Sequence, residues 1–257
     1  MALLKVTDLG KSFGGNRAVD GVSFGVATGE LLALIGPNGA GKSTTFNMVN
    51  GQLRADSGSI QLDGKELIGL KPRDIWHMGV GRTFQIAETF ASLTVVENVQ
   101  MALISADSKL FSMWKPAAAH RRADALALLD QVGMAAQAER PCSELAYGDV
   151  KRVELAIAMA NAPKLLLMDE PTAGMAPKER NELMALTKRL VVERGMAVLF
   201  TEHSMDVVFK YAHRMLVMAR GRVIAAGDPA SVRDNAEVQA VYLGTGASFR
   251  AHAALDR

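Results

Sequence analysis

Gly36-Pro37-Asn38-Gly39-Ala40-Gly41-Lys42-Ser43-Thr44 follows a short apolar run, Leu31-Leu32-Ala33-Leu34-Ile35, and leads into Thr45-Phe46-Asn47-Met48-Val49-Asn50. The order is strand, tight loop, helix. In that setting the pattern G-x-x-x-x-G-K-[S/T] is a phosphate-binding P-loop. Gly36, Gly39 and Gly41 let the backbone approach an anion without a Cβ clash. The N–H groups of the loop and the positive end of the following helix then face the phosphates. Lys42 adds a point charge for the outer phosphates, and Ser43 offers a hydroxyl to Mg²⁺. A glycine-rich turn carrying a solvated lysine is the competing reading, and the full pattern in its strand-to-helix setting outweighs it.

Upstream of this loop, residues 3–8 and 19–26 read as strands of a small antiparallel sheet. The polar, glycine-rich stretch Lys11-Ser12-Phe13-Gly14-Gly15-Asn16-Arg17 reads as a loop between them. Phe13 is an apolar ring in that loop. It either folds back on the core or stacks on a base beside the P-loop.

Downstream, Ser59 to Gly64 alternates like a strand ending in an Asp-Gly turn, and Pro72 opens a short helix over 72–78. A strand ending at Gln85 would bring an amide near the P-loop, where its oxygen can ligate Mg²⁺. Residues 91–135 read as a helical insert, with Ser92 or Thr94 as a cap, an irregular piece from Asp107 to Pro116, and a helix from His120 to Gln131. Phe111 and Trp114, in the irregular piece, read as packing residues. Leu145-Ala146-Tyr147-Gly148-Asp149 precedes a helix whose Val153, Ala156, Ile157 and Ala160 form a buried stripe. Gly148 and Asp149 thus mark a helix start, which favours an acidic cap or an external phosphate.

Leu165-Leu166-Leu167-Met168-Asp169-Glu170 is a continuous apolar run ending in two acids, the pattern of a buried central parallel strand. Ligands of open α/β sheets bind at that carboxyl edge. Neighbours on a strand point to opposite sides, so Asp169 and Glu170 take different tasks, one facing Mg²⁺ and the other a water. Pro177 starts a helix that Gly195 ends, with Leu183, Leu186 and Leu190 inside. Met196 to Thr201 is another buried strand. It delivers Glu202-His203-Ser204 to the same edge, with Ser204 as a helix cap. A hairpin over 214–226 turns at Arg220-Gly221, and Val238 to Leu243 forms a peripheral helix in the tail.

Bulk properties narrow the function. With 257 residues and 49% apolar content, the chain can bury the core of a large α/β domain. A net charge of only +2, with no long basic run, does not point to nucleic acid as a partner. Cys142 is the single cysteine, which excludes an internal disulfide and suits a reducing compartment. It reads as a small packing side chain. No secretory segment opens the sequence, and no apolar run approaches the ~20 residues of a spanning helix. Any membrane connection is expected to run through another protein.

Taken in order, these motifs resemble the ATP-binding subunit of an ABC transporter, over about residues 2–243. They are the loop aromatic Phe13, the P-loop Gly36–Thr44, the Q-loop Gln85, the signature region Leu145–Asp149, Walker B Leu165–Asp169, Glu170 and the switch His203. The resemblance implies a single α/β domain: a P-loop NTPase (RecA-like) core with a small antiparallel β subdomain over 1–90 and 161–230, an inserted helical subdomain over 91–160, and a C-terminal tail over 231–257. It implies ATP and Mg²⁺ as cofactors. Phe13, Gly36 to Thr44 and Gln85 would hold the nucleotide, and Ser43, Gln85 and Asp169 the metal. Glu170, His203 and Lys42 would be catalytic: Glu170 polarises the attacking water, His203 holds the γ-phosphate and Lys42 neutralises charge. It further implies a head-to-tail dimer with an identical or related ATPase, in which Ala146, Tyr147, Gly148 and Asp149 bind the partner's nucleotide. Transmembrane permease subunits are the direct partners, an extracytoplasmic binding protein an indirect one. The location implied is the cytoplasmic face of a bacterial inner membrane.

Within that family, Lys11 to Gly15, Gly81 to Gln85, Leu145 to Asp149 and Val241-Tyr242-Leu243-Gly244 resemble the larger ATPase of branched-chain amino acid importers. Relatives that import urea or amides or export lipopolysaccharide share much of this, and ABC ATPases acting on ribosomes or DNA form the alternative class. Two departures stand out. The signature usually reads Leu-Ser-Gly-Gly-Gln, and Ala146 replaces the serine, removing a hydrogen bond to a charged group worth roughly 1.5–3 kcal/mol. The backbone donors at Gly148 remain. Ala176 stands where the loop after Walker B usually carries an aspartate or asparagine.

Overall fold

The computed structural model describes residues 2–83, 89–107 and 121–243. β1 (Ala2–Phe13) and β2 (Asn16–Ala27) pair as an antiparallel hairpin up to Phe13 opposite Asn16. The expected loop over Lys11–Arg17 is therefore mostly strand, and only Gly14 and Gly15 turn. The polar residues are held in the strand by Asp56. Lys11 Nζ donates to its carboxylate at 2.6 Å and the Ser12 N–H at 2.8 Å. Composition suggests a loop there only because the stabilising acid lies about 44 residues away.

β3 (Leu31–Ile35) leads through the P-loop into α1 (Lys42–Val49). β4 (Ser57–Leu62) and the short β5 (Lys65–Glu66) complete a four-stranded antiparallel sheet ordered β2-β1-β4-β5. After α2 (Pro72–His77) and β6 (Val80–Thr83) come, among the described residues, the α-helices α3 (Val95–Ala106), α4 (Arg122–Gln131) and α5 (Tyr147–Met159). Thr94 caps α3 in a reciprocal box: its hydroxyl accepts from the Glu97 N–H, and its own N–H donates to the Glu97 carboxylate at 2.8 Å. β7 (Leu165–Asp169), α6 (Pro177–Arg194), β8 (Ala197–Thr201) and α7 (Met205–Tyr211) resume the alternation. The hairpin β9 (Arg214–Ala219) and β10 (Arg222–Gly227) and two short helices, α8 (Pro229–Arg233) and α9 (Ala236–Leu243), follow.

The second sheet runs β10-β9-β3-β8-β7-β6, parallel except for β10. Its strands are apolar on both faces, and the two faces serve two cores. Leu31, Ala33, Ile35, Leu166, Met168, Val198 and Phe200 pack towards α3–α6. Leu32, Leu34, Leu165, Leu167, Ala197 and Leu199 pack towards the antiparallel sheet and α1, including Phe46. Continuous apolar runs thus reflect burial from both sides, as expected of a covered parallel sheet. Phe200 is fully buried, and its truncation to Ala would cost about 3–5 kcal/mol, so the carboxyl edge rests on a rigid floor. Cys142 is buried, its sulfur accepts from Asn98 Nδ2 at 3.2 Å, and burial pushes the thiol up. It is a packing residue, as its isolation in the sequence suggested.

Candidate functional site

Three parallel strands and one hairpin end at the same edge. β3 delivers Gly36, β7 delivers Asp169, β8 delivers Thr201, and the turn after β9 delivers Arg220. At Gly36 φ is 151°, and a Cβ would collide with the Met218 carbonyl; at Gly41 φ is 102°, and a Cβ would collide with the Ala18 carbonyl. Only glycine fits both places, so the loop's tight path is a steric consequence of its neighbours. The hairpin turn braces it from outside: the Gly221 N–H donates to the Ala40 carbonyl at 3.1 Å.

Gly41 precedes α1 in a left-handed conformation, with no side chain capping the helix. The first N–H groups of α1 are therefore left for an external acceptor. Lys42 is 7% exposed, and its ammonium donates to the Gly36 carbonyl at 2.8 Å and the Pro37 carbonyl at 3.1 Å. Burial lowers its pKa, opposed by the charges of Glu170 and Asp169. A buried cation held only by carbonyls and distant carboxylates is a site that an anion completes.

The two acids at the end of β7 part company by a turn of the chain. Glu170 has left the strand and sits at φ 48°, an uncommon conformation for a residue with a Cβ. This left-handed step, rather than strand alternation, separates it from Asp169. Asp169 accepts from the Thr201 hydroxyl at 2.7 Å and lies 3.7 Å from the Arg82 guanidinium. Glu170 donates its N–H to the same Thr201 hydroxyl at 3.0 Å, and its carboxylate meets His203 Nε2 at 2.9 Å.

Phe13, Arg17, Lys42, Ser43, Glu170, His203 and Arg220 are among the residues that line one cavity of about 560 Å³. Phe13 is 51% exposed and does not fold back on the core. Among the described residues no three His, Cys, Asp or Glu side chains gather to hold a metal ion. A divalent ion at this edge would take the Ser43 hydroxyl, Asp169 and ligand oxygens. That donor set suits Mg²⁺, which is commonly bound through one or two carboxylates and substrate phosphates.

Ala146, Tyr147, Gly148 and Asp149 do not line this cavity. They open α5 beside the loop after β7: a Cβ on Gly174 would lie 3.7 Å from Tyr147 Cε1, and one on Gly148 3.6 Å from Met175 Cε. Ala146 holds the cap position without a side-chain acceptor, and Tyr147 is 45% exposed. At α6, Ala176 likewise occupies the cap position, and its N–H donates to Glu179 at 3.2 Å, half of a capping box. Gln85, Phe111 and Trp114 lie outside the described residues. Ser204, expected to cap α7, does not: its hydroxyl accepts from Arg180 Nη1 at 2.6 Å. The guanidinium on α6 outcompetes the local amide. Sequence reasoning also missed Thr201, which links both acids, and Arg220, which reaches the cavity; Thr201 ends a buried strand next to His203, and that position was the available signal.

The family model described as ABC transporter matches residues 19–173, and that described as branched-chain amino acid ATP-binding cassette transporter matches residues 222–248. The chain is 40% identical over 249 residues to the high-affinity branched-chain amino acid transport ATP-binding protein LivG of Salmonella typhimurium, covering 94% of this chain and 98% of that protein. It is 37% identical to BraF, a protein of the same description from Pseudomonas aeruginosa, with the same coverage. Among solved structures, the ADP conformation of an ATP-binding cassette of an ABC transporter superposes with a TM-score of 0.86 at 32% identity, covering 95% of this chain and 99% of that one. A dimeric ATP-binding cassette in a post-hydrolysis state, bound to ADP and Pi, superposes with a TM-score of 0.74 at 25% identity, covering 88% and 98%.

Proposed function

The chain belongs to the ATP-binding proteins of ABC transporters, and on that premise we propose that it hydrolyses ATP to power a membrane importer of branched-chain amino acids. The observation that carries the hydrolytic part is the convergence of Lys42, Glu170 and His203 on one cavity beside a glycine cradle. The substrate rests on likeness to the LivG and BraF proteins along nearly the whole chain.

Phe13 stacks on the adenine, and the loop from Gly36 to Thr44 wraps the phosphates. Lys42 transfers its ammonium from loop carbonyls to phosphate oxygens. Glu170 orients a water and takes its proton as the water's oxygen bonds to the terminal phosphorus, while the bond to the ADP oxygen breaks. His203 turns from Glu170 to the γ-phosphate. Ser43, Asp169 and Gln85 would hold Mg²⁺, which would supply charge neutralisation at the phosphates.

The signature residues Ala146 to Asp149 lie outside the chain's own cavity, which favours a head-to-tail pair in which each α5 start closes the other subunit's site. ATP binding then closes the pair and hydrolysis loosens it. Among the described residues no helix is long and apolar enough to cross a membrane. The chain would sit at the cytoplasmic face, gripped through its helical insert by permease subunits that receive substrate from an extracytoplasmic binding protein. Gln85 would relay the state of the γ-phosphate to that insert. The test is reconstitution with the co-purified membrane subunits in vesicles. ATP-dependent uptake of leucine, isoleucine or valine supports the reading; ATP hydrolysis stimulated by an unrelated solute instead overturns the substrate assignment.

A further inference from the structure

Glu202 is 4% exposed, and no step proposed above uses it. Its Oε1 accepts from both the N–H and the hydroxyl of Thr172, at 2.9 and 2.6 Å. Its Oε2 accepts from the N–H of His203 at 3.2 Å. Thr172 is itself 1% exposed. One buried carboxylate therefore joins the backbone that carries His203 to the loop after β7. That loop is tied at one end to Glu170, whose carbonyl accepts from the Ala173 N–H at 3.1 Å. At its other end Gly174 and Met175 lie against Tyr147 and Gly148 at the start of α5.

A carboxylate is an expensive way to fill this space. Burial alone disfavours its charge, and an apolar side chain would close the strand end without that penalty. What the carboxylate adds is geometry, since three donors from two segments fix their relative position. Ala176 meanwhile leaves the far end of the same loop without the acid or amide expected there.

We propose that Glu202 is a positioning residue: through Thr172 it locks the His203 backbone to the loop over 171–176, so that the Glu170–His203 pair is set for turnover only when that loop is seated against the start of α5. This rests on the proposed ATPase function.

The full-length chain is assayed for steady-state ATP hydrolysis, with ATP affinity measured by calorimetry and folding by thermal melting. Glu202→Gln keeps the shape but cannot accept from both Thr172 and His203. Thr172→Val removes the hydroxyl, and Thr172→Ser keeps it. The expected result is that kcat falls about tenfold in E202Q and in T172V, KM for ATP moves less than about twofold, T172S stays within about twofold of wild type, and the double variant is no worse than the poorer single one. Wild-type kcat in folded T172V or E202Q overturns the clamp. So does a loss shared by T172S, a loss carried in KM, or multiplicative losses in the double variant. If one variant fails to fold, the other and T172S decide alone. A wild-type chain that binds ATP without turnover overturns the functional reading and the clamp together; full turnover in both variants overturns only the clamp.

Discussion

The starts of α1 and α5 are both helix N-termini suited to phosphate, yet they are built in opposite ways. Before α1 stands Gly41 in a left-handed conformation, and a buried Lys42 opens the helix. Before α5 stands Ala146 in an extended conformation, followed by an exposed Tyr147 and an acid, Asp149, in the first turn. The first is enclosed by its own chain, with Met218 and Ala18 carbonyls packed too tightly for any Cβ. The second faces outward, with Tyr147 45% exposed. One is a cradle built within the chain; the other, on the proposed pairing, is the surface that closes another subunit's site.

Four experiments break or sharpen this contrast. Glu170→Gln leaves the α1 cradle intact and removes the proton acceptor, so ATP still binds while kcat falls by ~10²–10⁴; undiminished steady-state hydrolysis would remove Glu170 from the role. Lys42→Ala strips the cradle of its charge. The loss of hydrogen bonds to a charged group, roughly 1.5–3 kcal/mol, weakens ATP binding about 10- to 100-fold, which calorimetry reads directly.

On the α5 side, Ala146→Ser restores a side-chain acceptor at the cap. It should raise melting stability by about 1 kcal/mol even in the isolated chain. In the ATP-bound pair it should also tighten closure, seen as a larger dimer fraction at a given ATP concentration. A stability gain without a dimerisation gain would place α5 away from the shared phosphate.

The smallest effect concerns pH. Burial pushes the Glu202 carboxyl up, against the pull of donors from Thr172, Ser204 and His203. Between its unfolded and folded pKa values the folded state then binds more protons than the unfolded one, so wild-type stability falls as pH rises through that window. Glu202→Gln lacks this term. Its stability relative to wild type should rise with pH just above the ordinary carboxylate range and level off beyond the raised value, as followed by denaturant midpoints. A difference flat in pH would show that Glu202 titrates normally.

Much of the fold is legible in the chain because the signals are local. The run Leu31–Ile35 before glycines, the run Leu165–Met168 before two acids, and Pro177 and Gly195 bracketing α6 each state their structure within a few residues. What was missed depends on partners far away in sequence. Lys11 and Ser12 extend β1 because Asp56 receives them. Ser204 fails to cap α7 because Arg180 reaches it from α6. Strand alternation predicted different tasks for Asp169 and Glu170, but the left-handed turn at Glu170, bonded to Thr201 across the sheet, is what separates them. The chemistry of the cradle could be read because steric need concentrates glycines in one place. Glu202 and Thr172, 30 residues apart, leave no such mark.

The central claim is that two half-built surfaces meet on one triphosphate. The direct test is a crystal structure of the Glu170→Gln chain with ATP and Mg²⁺, together with its ATPase mate if a second one co-purifies. The account predicts the γ-phosphate of each ATP between Lys42 of one subunit and the backbone N–H groups at Tyr147–Gly148 of the other. An ATP enclosed by a single chain, with the start of every α5 facing solvent, would contradict it.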